Sequence, residues 1–242
     1  MRRSFIIAWA LLLAGFACLG QASAFWQSRD SNYNVVIAAT GAPATATYEI
    51  GDLASCVSAV CTSALTLPNA PNSNDVIAVG PCARGSITVS SATYNLAAMT
   101  QVSGAASGGA MPCDIWYITG VTGTTASIVV TWSGTPARAF AQVYRIVTTT
   151  TAVNAGAGIT GTSVSESQSI TIPNNGVAVA FAGYLTPTSP GFTNATLDNT
   201  QTSTNSVTAG HTATGTGASV SVTATGGTSG QTIGLSIGAW KS

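Results

Sequence analysis

The sequence predicts an all-β protein: an antiparallel, jelly-roll-like β-sandwich built from two similar halves. Three observations carry that expectation. Past Ala24, short runs alternate apolar and polar residues, and helical periodicity is nearly absent. Gly, Pro, Asn and Ser punctuate the runs at the spacing of turns. One strand-like stretch, TGTTASIVVT at 122–131, returns as TGTGASVSVT at 214–223, with seven of ten residues identical.

The first segment stands outside that pattern. MRR is basic, SFIIAWALLLAGFACLG is mostly apolar, and QASA ends in a small-x-small pattern at Ala22 and Ala24. That layout is a secretory signal peptide cleaved after Ala24. Its apolar part is shorter than the roughly 20 residues of a spanning helix. Residues 1–24 are therefore read as a leader and 25–242 as a single β-sandwich domain. The expected location is the periplasm or the exterior, without stable membrane insertion.

Strands are expected, in order, at NVVIAA, ATYEI, ALTL, DVIAVG, SITVSS, IWYITG, ASIVVTW and AFAQVYRIV. The second half continues with QSITI, GVAVAFAGYL, NSVTAG, ASVSVTAT and TIGLSIGAW. Several alternate cleanly. Ala126, Ile128, Val130 and Trp132 share one face, with Ser127, Thr131 and Ser133 opposite. Ala218, Val220, Val222 and Ala224 share another, with Ser219, Ser221, Thr223 and Thr225 opposite. One dry and one wet face is the pattern of an antiparallel sheet. Trp132 continues an apolar face and is expected in the core. Within PNNGV, Asn175-Gly176 predicts a hairpin turn between SITI and VAVAF.

The duplication extends past one strand. LTLPN at 65–69 is answered by ITIPN at 170–174, so the halves run over about 55–147 and 160–242. The first half is longer. Its excess falls in the stretch that holds Cys82, the Gly-rich SGAASGGA and Cys113. Two architectures fit: one sandwich with two Greek keys, or two small sandwiches in tandem. The joint at 148–165 is Thr/Gly-rich and lacks the Pro or charge of a linker, which favours the single sandwich.

Composition excludes some functions. Only 6% of the 242 residues are charged, seven basic and seven acidic, too few for a phosphate-binding patch. Nucleic acid is therefore not an expected partner. Low charge does not mean disorder here, because 45% of residues are hydrophobic and they are periodic. Solubility rests on Ser, Thr, Asn and Gln, a surface suited to uncharged partners.

Cys18 leaves with the leader, and Cys56, Cys61, Cys82 and Cys113 remain. An even number in an exported chain reads as disulfides. Of the three possible pairings, Cys56–Cys61 with Cys82–Cys113 is favoured. The second loop, about 30 residues, would contribute about 3–4 kcal/mol. C-x-x-C pairs and clustered histidines are absent, so no metal site and no cofactor is expected.

The segment IWYITGVTGTTASIVVTWSGTPARAFAQVYRI at 115–146 resembles a recurrent stretch of uncharacterised jelly-roll-like β-sandwich proteins of phages and Proteobacteria. SITIPNNGVAVAFAGY at 169–184 is similar to their second half, and the likeness spans about 65–240. It implies a jelly-roll-like fold and a surface or virion-associated role, and it implies no catalytic residues. The leader departs from virion proteins, which assemble in the cytoplasm, and points to an exported version.

Candidates for chemistry are few. His211, in TAGHTATG, is the one histidine, and it is read as an exposed loop residue. A Ser-His-Asp site would need Asp198 and a serine brought to it by the fold, and no GxSxG elbow is present. Glu49 and Asp52 sit near one turn in YEIGDL, but two acids without a third read as a solvated turn rather than a calcium site. Trp116 and Tyr117 are adjacent on a strand and face opposite sides. With Tyr94 they are the candidate ligand-binding rings, since exposed aromatic faces stack on sugars. The expected function is a secreted, non-enzymatic recognition or adhesion module with a glycan ligand. The alternative is a structural or virion-like, phage-derived assembly protein. A hydrolase fits poorly.

Overall fold

The computed structural model describes residues 43–49, 56–67, 69–147, 153–202 and 205–242. The leader, the NVVIAA stretch and Asp52 lie outside the described residues. Gly41–Ser242 is one compact unit, all-β and antiparallel.

The first half contributes β1 (Thr45–Tyr48), β2 (Val60–Thr66), β3 (Val76–Arg84), β4 (Val89–Tyr94), β5 (Ala97–Ala98), β6 (Thr100–Gln101), β7 (Trp116–Thr119), β8 (Thr125–Trp132) and β9 (Arg138–Val147). The second contributes β10 (Val153–Gly161), β11 (Ser165–Thr171), β12 (Val177–Tyr184), β13 (Gly191–Thr193), β14 (Thr196–Thr202), β15 (Ser206–His211), β16 (Ser219–Thr225) and β17 (Ile233–Trp240).

Successive strands step back and forth between facing sheets. In the first half the orders are β1-β9-β3-β7-β6 and β2-β8-β4-β5. In the second they are β10-β17-β12-β15-β14 and β11-β16-β13. Strand for strand, β1-β9-β3-β7 answers β10-β17-β12-β15, and β2-β8-β4 answers β11-β16-β13. Each half thus carries the interleaved order of a jelly roll. The repeated TGTxAS segments become β8 and β16, which occupy the same place in the two halves.

Each half is itself a two-sheet sandwich, and the two are stacked. Leu65, Ile77, Val79, Ile128, Val130 and Val143 belong to the first core. Ile170, Ala180, Val222, Leu235 and Ile237 belong to the second. A third core lies between the sandwiches and draws Val76, Ala78, Phe140, Tyr144 and Ile146 from one and Val179, Phe181, Val207, Ala209 and Trp240 from the other. The result is four layers, with β2-β8-β4-β5 and β11-β16-β13 outermost. This explains why DVIAVG and GVAVAFAG are continuously apolar: β3 and β12 are buried on both faces.

Across the middle core, β3 meets β12, Tyr117 of β7 meets Trp240 of β17, and Tyr144 of β9 meets Asp198 of β14. Gly80 of β3 lies so close to the Phe181 ring that a Cβ there would sit 2.2 Å from it. Tyr117 packs edge-on against Trp240 at 6.2 Å, and Tyr144 against Phe181 at 5.6 Å.

Both disulfides form in the favoured pairing, Cys56–Cys61 and Cys82–Cys113. Cys113 ends the enlarged loop of the first half, and that loop lies against β10. Gly108 N–H donates to Thr160 Oγ1 at 2.7 Å, and a Cβ on Gly156 or Gly158 would strike the Ser103 or Ala105 carbonyl oxygen. The glycines of the joint are therefore close-approach positions in an edge strand, and the joint is sheet from Val153 onward.

The joint favoured a single sandwich, whereas each half forms its own and the two share a core; one turn also departs from expectation, and another is unusual. PNNGV does make a tight turn, with Asn175 at φ 58° and Gly176 N–H bonded to the Pro173 carbonyl at 2.9 Å. However, β11 and β12 lie in different sheets, so the turn arches between layers rather than closing a hairpin. In the short link between β4 and β5, Asn95 and Leu96 both have positive φ, 48° and 70°. Leu96 is 91% exposed there, where glycine is the favoured residue.

Candidate functional site

His211 is not a loop residue. It closes β15, paired with Thr196 of β14 and Val179 of β12, and its side chain is 30% exposed. Its Nδ1 lies 2.7 Å from Asp198 Oδ2. The Tyr144 hydroxyl donates to that same oxygen from the other sandwich. Asp198 reaches both because β14 bulges between Leu197 and Asn199, which turns the extra residue toward the seam. The fold therefore builds a Tyr144–Asp198–His211 cluster that ties the sandwiches together. No serine, threonine or cysteine hydrogen-bonds His211 among the described residues, so a Ser-His-Asp arrangement is not assembled.

The three rings expected to bind ligand are not gathered. Tyr94 is 2% exposed in the first core and offers no free face. Trp116 and Tyr117 do face opposite sides of β7, and both are half-buried. Trp116 packs on the first core, and its Nε1 donates to Asp114 Oδ2 at 3.0 Å. Tyr117 packs on the middle core. Trp132 is in the core as expected.

Asp114 is the hub beneath Trp116. Its Oδ2 also accepts from Gln101 Nε2 at 2.6 Å, and its Oδ1 accepts from Ile115 N–H at 2.8 Å. Burial still raises its pKa above the ordinary 3.8, outweighing those three hydrogen bonds. Glu49 is also buried, and desolvation lifts its pKa despite the nearby Arg145 guanidinium. That burial removes the solvated-turn reading of Glu49. Arg145 is engaged with Asp75, 2.8 Å away, which also accepts from Asn72 N–H. No group of three or more His, Cys, Asp or Glu side chains is placed to hold a metal ion among the described residues.

The outermost sheet of the second sandwich presents a different surface. Its β11–β16 pairs are Ser165 with Thr225, Ser167 with Thr223, Ser169 with Ser221, and Thr171 with Ser219. These side chains point away from the second core, and Ser167 and Thr223 hydroxyls bond at 2.7 Å. Thr193 of β13 extends the row beside Thr223. The outward positions of these strands carry no charge. The opposite outer sheet pairs Thr66 with Thr125, Ala64 with Ser127, and Thr62 with Val129.

No protein-family model, curated protein or solved structure matches the chain. Two disulfides indicate an oxidising environment, extracellular or periplasmic. No helix among the described residues is long and apolar enough to cross a membrane.

Proposed function

We propose that the protein is an exported, non-enzymatic recognition or adhesion module for neutral glycans, which it contacts through the outer face of β11, β16 and β13. The observation that carries this reading is the charge-free ladder of four Ser/Thr cross-strand pairs. Hydroxyls both donate and accept, as sugar hydroxyls do. Strand spacing of about 4.8 Å and a two-residue repeat of about 6.8 Å give the ladder a regular grid. No ion has to be desolvated, and a sheet side chain with one hydroxyl loses little rotamer freedom on binding. Cleavage of the leader after Ala24 belongs to the same reading.

The test is a pull-down of the mature protein on insoluble neutral polysaccharides, together with a glycan array. Binding is expected to disappear in Ser221→Arg/Thr223→Arg with the melting temperature unchanged. Retention of none of the polysaccharides and none of the arrayed glycans would sink the proposal.

A second reading, assembly with its own copies as a structural or virion-like protein, has one observation in its favour. Val57 and Val60 are 62% and 52% exposed on the small loop closed by Cys56–Cys61, beside β2, which ends its sheet among the described residues. Light scattering across a concentration series separates the two: a monomer at every concentration removes the assembly reading.

A further inference from the structure

The middle core is mainly apolar, but buried polar groups without a hydrogen-bond partner among the described residues occur in it: the Gln142 amide, the Ser236 hydroxyl beside Phe181, and the Trp240 indole N–H. Gln142 and Tyr144 project from the same face of β9, two residues apart, toward β14 and β15. Gln142 is fully buried, and neither its Nε2 nor its Oε1 has a hydrogen-bond partner among the described residues. Leaving such groups unmet in the interior is costly. Beside it stands the Tyr144–Asp198–His211 cluster. With Nδ1 committed to Asp198, the His211 Nε2 makes no hydrogen bond among the described residues, and the ring is part-exposed. Cross-strand pairing sets Asn199 beside Ala209, on the face of β14–β15 that His211 occupies.

We propose that this seam binds one small, neutral, polyhydroxylated ligand, a single sugar residue or a free polyol, through the Gln142 amide, the Asp198 carboxylate and the His211 imidazole. The amide supplies a donor and an acceptor, the carboxylate an acceptor, and the imidazole Nε2 a further polar contact. Vicinal hydroxyls satisfy that set. An anion is repelled by Asp198, and these residues include no lysine or arginine to attract one. A cation would have to displace Tyr144 and His211 from the carboxylate. The edge-on pair of Tyr144 and Phe181 gives the seam an apolar wall, the usual companion of a few convergent polar groups in a ligand site.

This site is separate from the outer hydroxyl ladder, and it does not rest on the proposed recognition of glycan surfaces. The experiment is a thermal-shift and NMR titration of the full mature chain with free neutral sugars and polyols at millimolar concentration: glucose, galactose, mannose, N-acetylglucosamine, inositol and glycerol. At least one is expected to raise the melting temperature and to shift the His211 ring and Gln142 side-chain amide resonances saturably. Gln142→Leu replaces the unmet amide with an apolar side chain of similar size, so it should fold and melt no lower than wild type. It should bind at least tenfold more weakly, as should His211→Ala. If Gln142→Leu does not fold, His211→Ala, at a part-exposed position, carries the test. No binding by any of the six compounds overturns the proposal, and so does binding of equal strength in the variants. Retention on insoluble polysaccharide should be unaffected by Gln142→Leu, so the failure of one proposal leaves the other standing.

Discussion

Gly80→Ala probes whether the two sandwiches depend on each other. The added methyl would sit 2.2 Å from both Cγ and Cδ1 of Phe181 and 2.4 Å from Cδ2. Carbon atoms settle at about 3.5–4.0 Å, so the ring must retreat by about an ångström or more. It has nowhere free to go, because Phe181 is fully buried and Tyr144 packs on it at 5.6 Å. Overpacking of this kind costs about 1–3 kcal/mol, and the confinement puts this case at the upper end. For a chain of this size that lowers Tm by about 6–10 °C. Urea unfolding should be followed by tryptophan fluorescence in a Trp26→Phe background, which samples Trp116 and Trp132 in the first half and Trp240 in the second, and by far-UV circular dichroism. Both signals should shift together. Combining Gly80→Ala with Phe181→Leu should recover part of the loss, since the smaller side chain yields space. A Gly80→Ala protein within about 0.5 kcal/mol of wild type would refute the tight approach, and two separate transitions would refute the shared core.

Other outcomes follow from the same contacts. Leu96→Gly, at a position with φ 70°, should stabilise by about 1 kcal/mol, read as a higher urea midpoint; no gain would mean the turn is not strained. Asp114 has its pKa raised by burial, so its contribution to stability is full below its ordinary 3.8 and is lost as pH rises through the folded-state value. Urea midpoints taken across that range should fall with rising pH in wild type and fall less in Asp114→Asn, with Glu49 supplying the remaining slope in the same direction. Identical slopes would remove Asp114 from the account. Replacing Cys82 and Cys113 with serine should cost about 3–4 kcal/mol, and replacing Cys56 and Cys61 about 1–2 kcal/mol less, because the second loop is far shorter. Equal losses would contradict that ranking.

The alternating strands were legible because one face is dry and the other wet. β8 and β16 follow that rule residue by residue, and Trp132 falls where the period puts it. The strands buried on both faces were legible as apolar runs, but nothing in a run says which sheet will cover it. That is why the single sandwich was favoured where the structure stacks two. β10 was hidden because glycine signals flexibility in a sequence, whereas Gly156 and Gly158 are there to let the Ser103 and Ala105 carbonyls approach. β14, reading TLDNTQT, was hidden because an edge strand with a bulge breaks the alternation. Asp198 was named from the sequence as the acid a His211 site would need, but without β14 nothing placed it beside His211, since it sits in that bulge. Tyr94 and Tyr117 were misleading for a general reason. A ring's value to a ligand depends on exposure, and their packing faces cannot be read from spacing alone.

The stacking of β3 on β12, with Tyr117 of β7 against Trp240 of β17, has the character of a twofold arrangement. Each half offers the other the same sheet, in the opposite sense. Such a contact is self-complementary, and it closes once it is made. A third copy of the repeat would meet the outer sheets, where Ser and Thr side chains stand on β11 and β16 and alternate with Ala64 and Val129 on β2 and β8. The two halves therefore close on one another, unlike stacked-repeat proteins that lengthen by adding units. After duplication, the inner sheets are held to one another's shape, and sequence drift without loss of the fold is left to the outer ones.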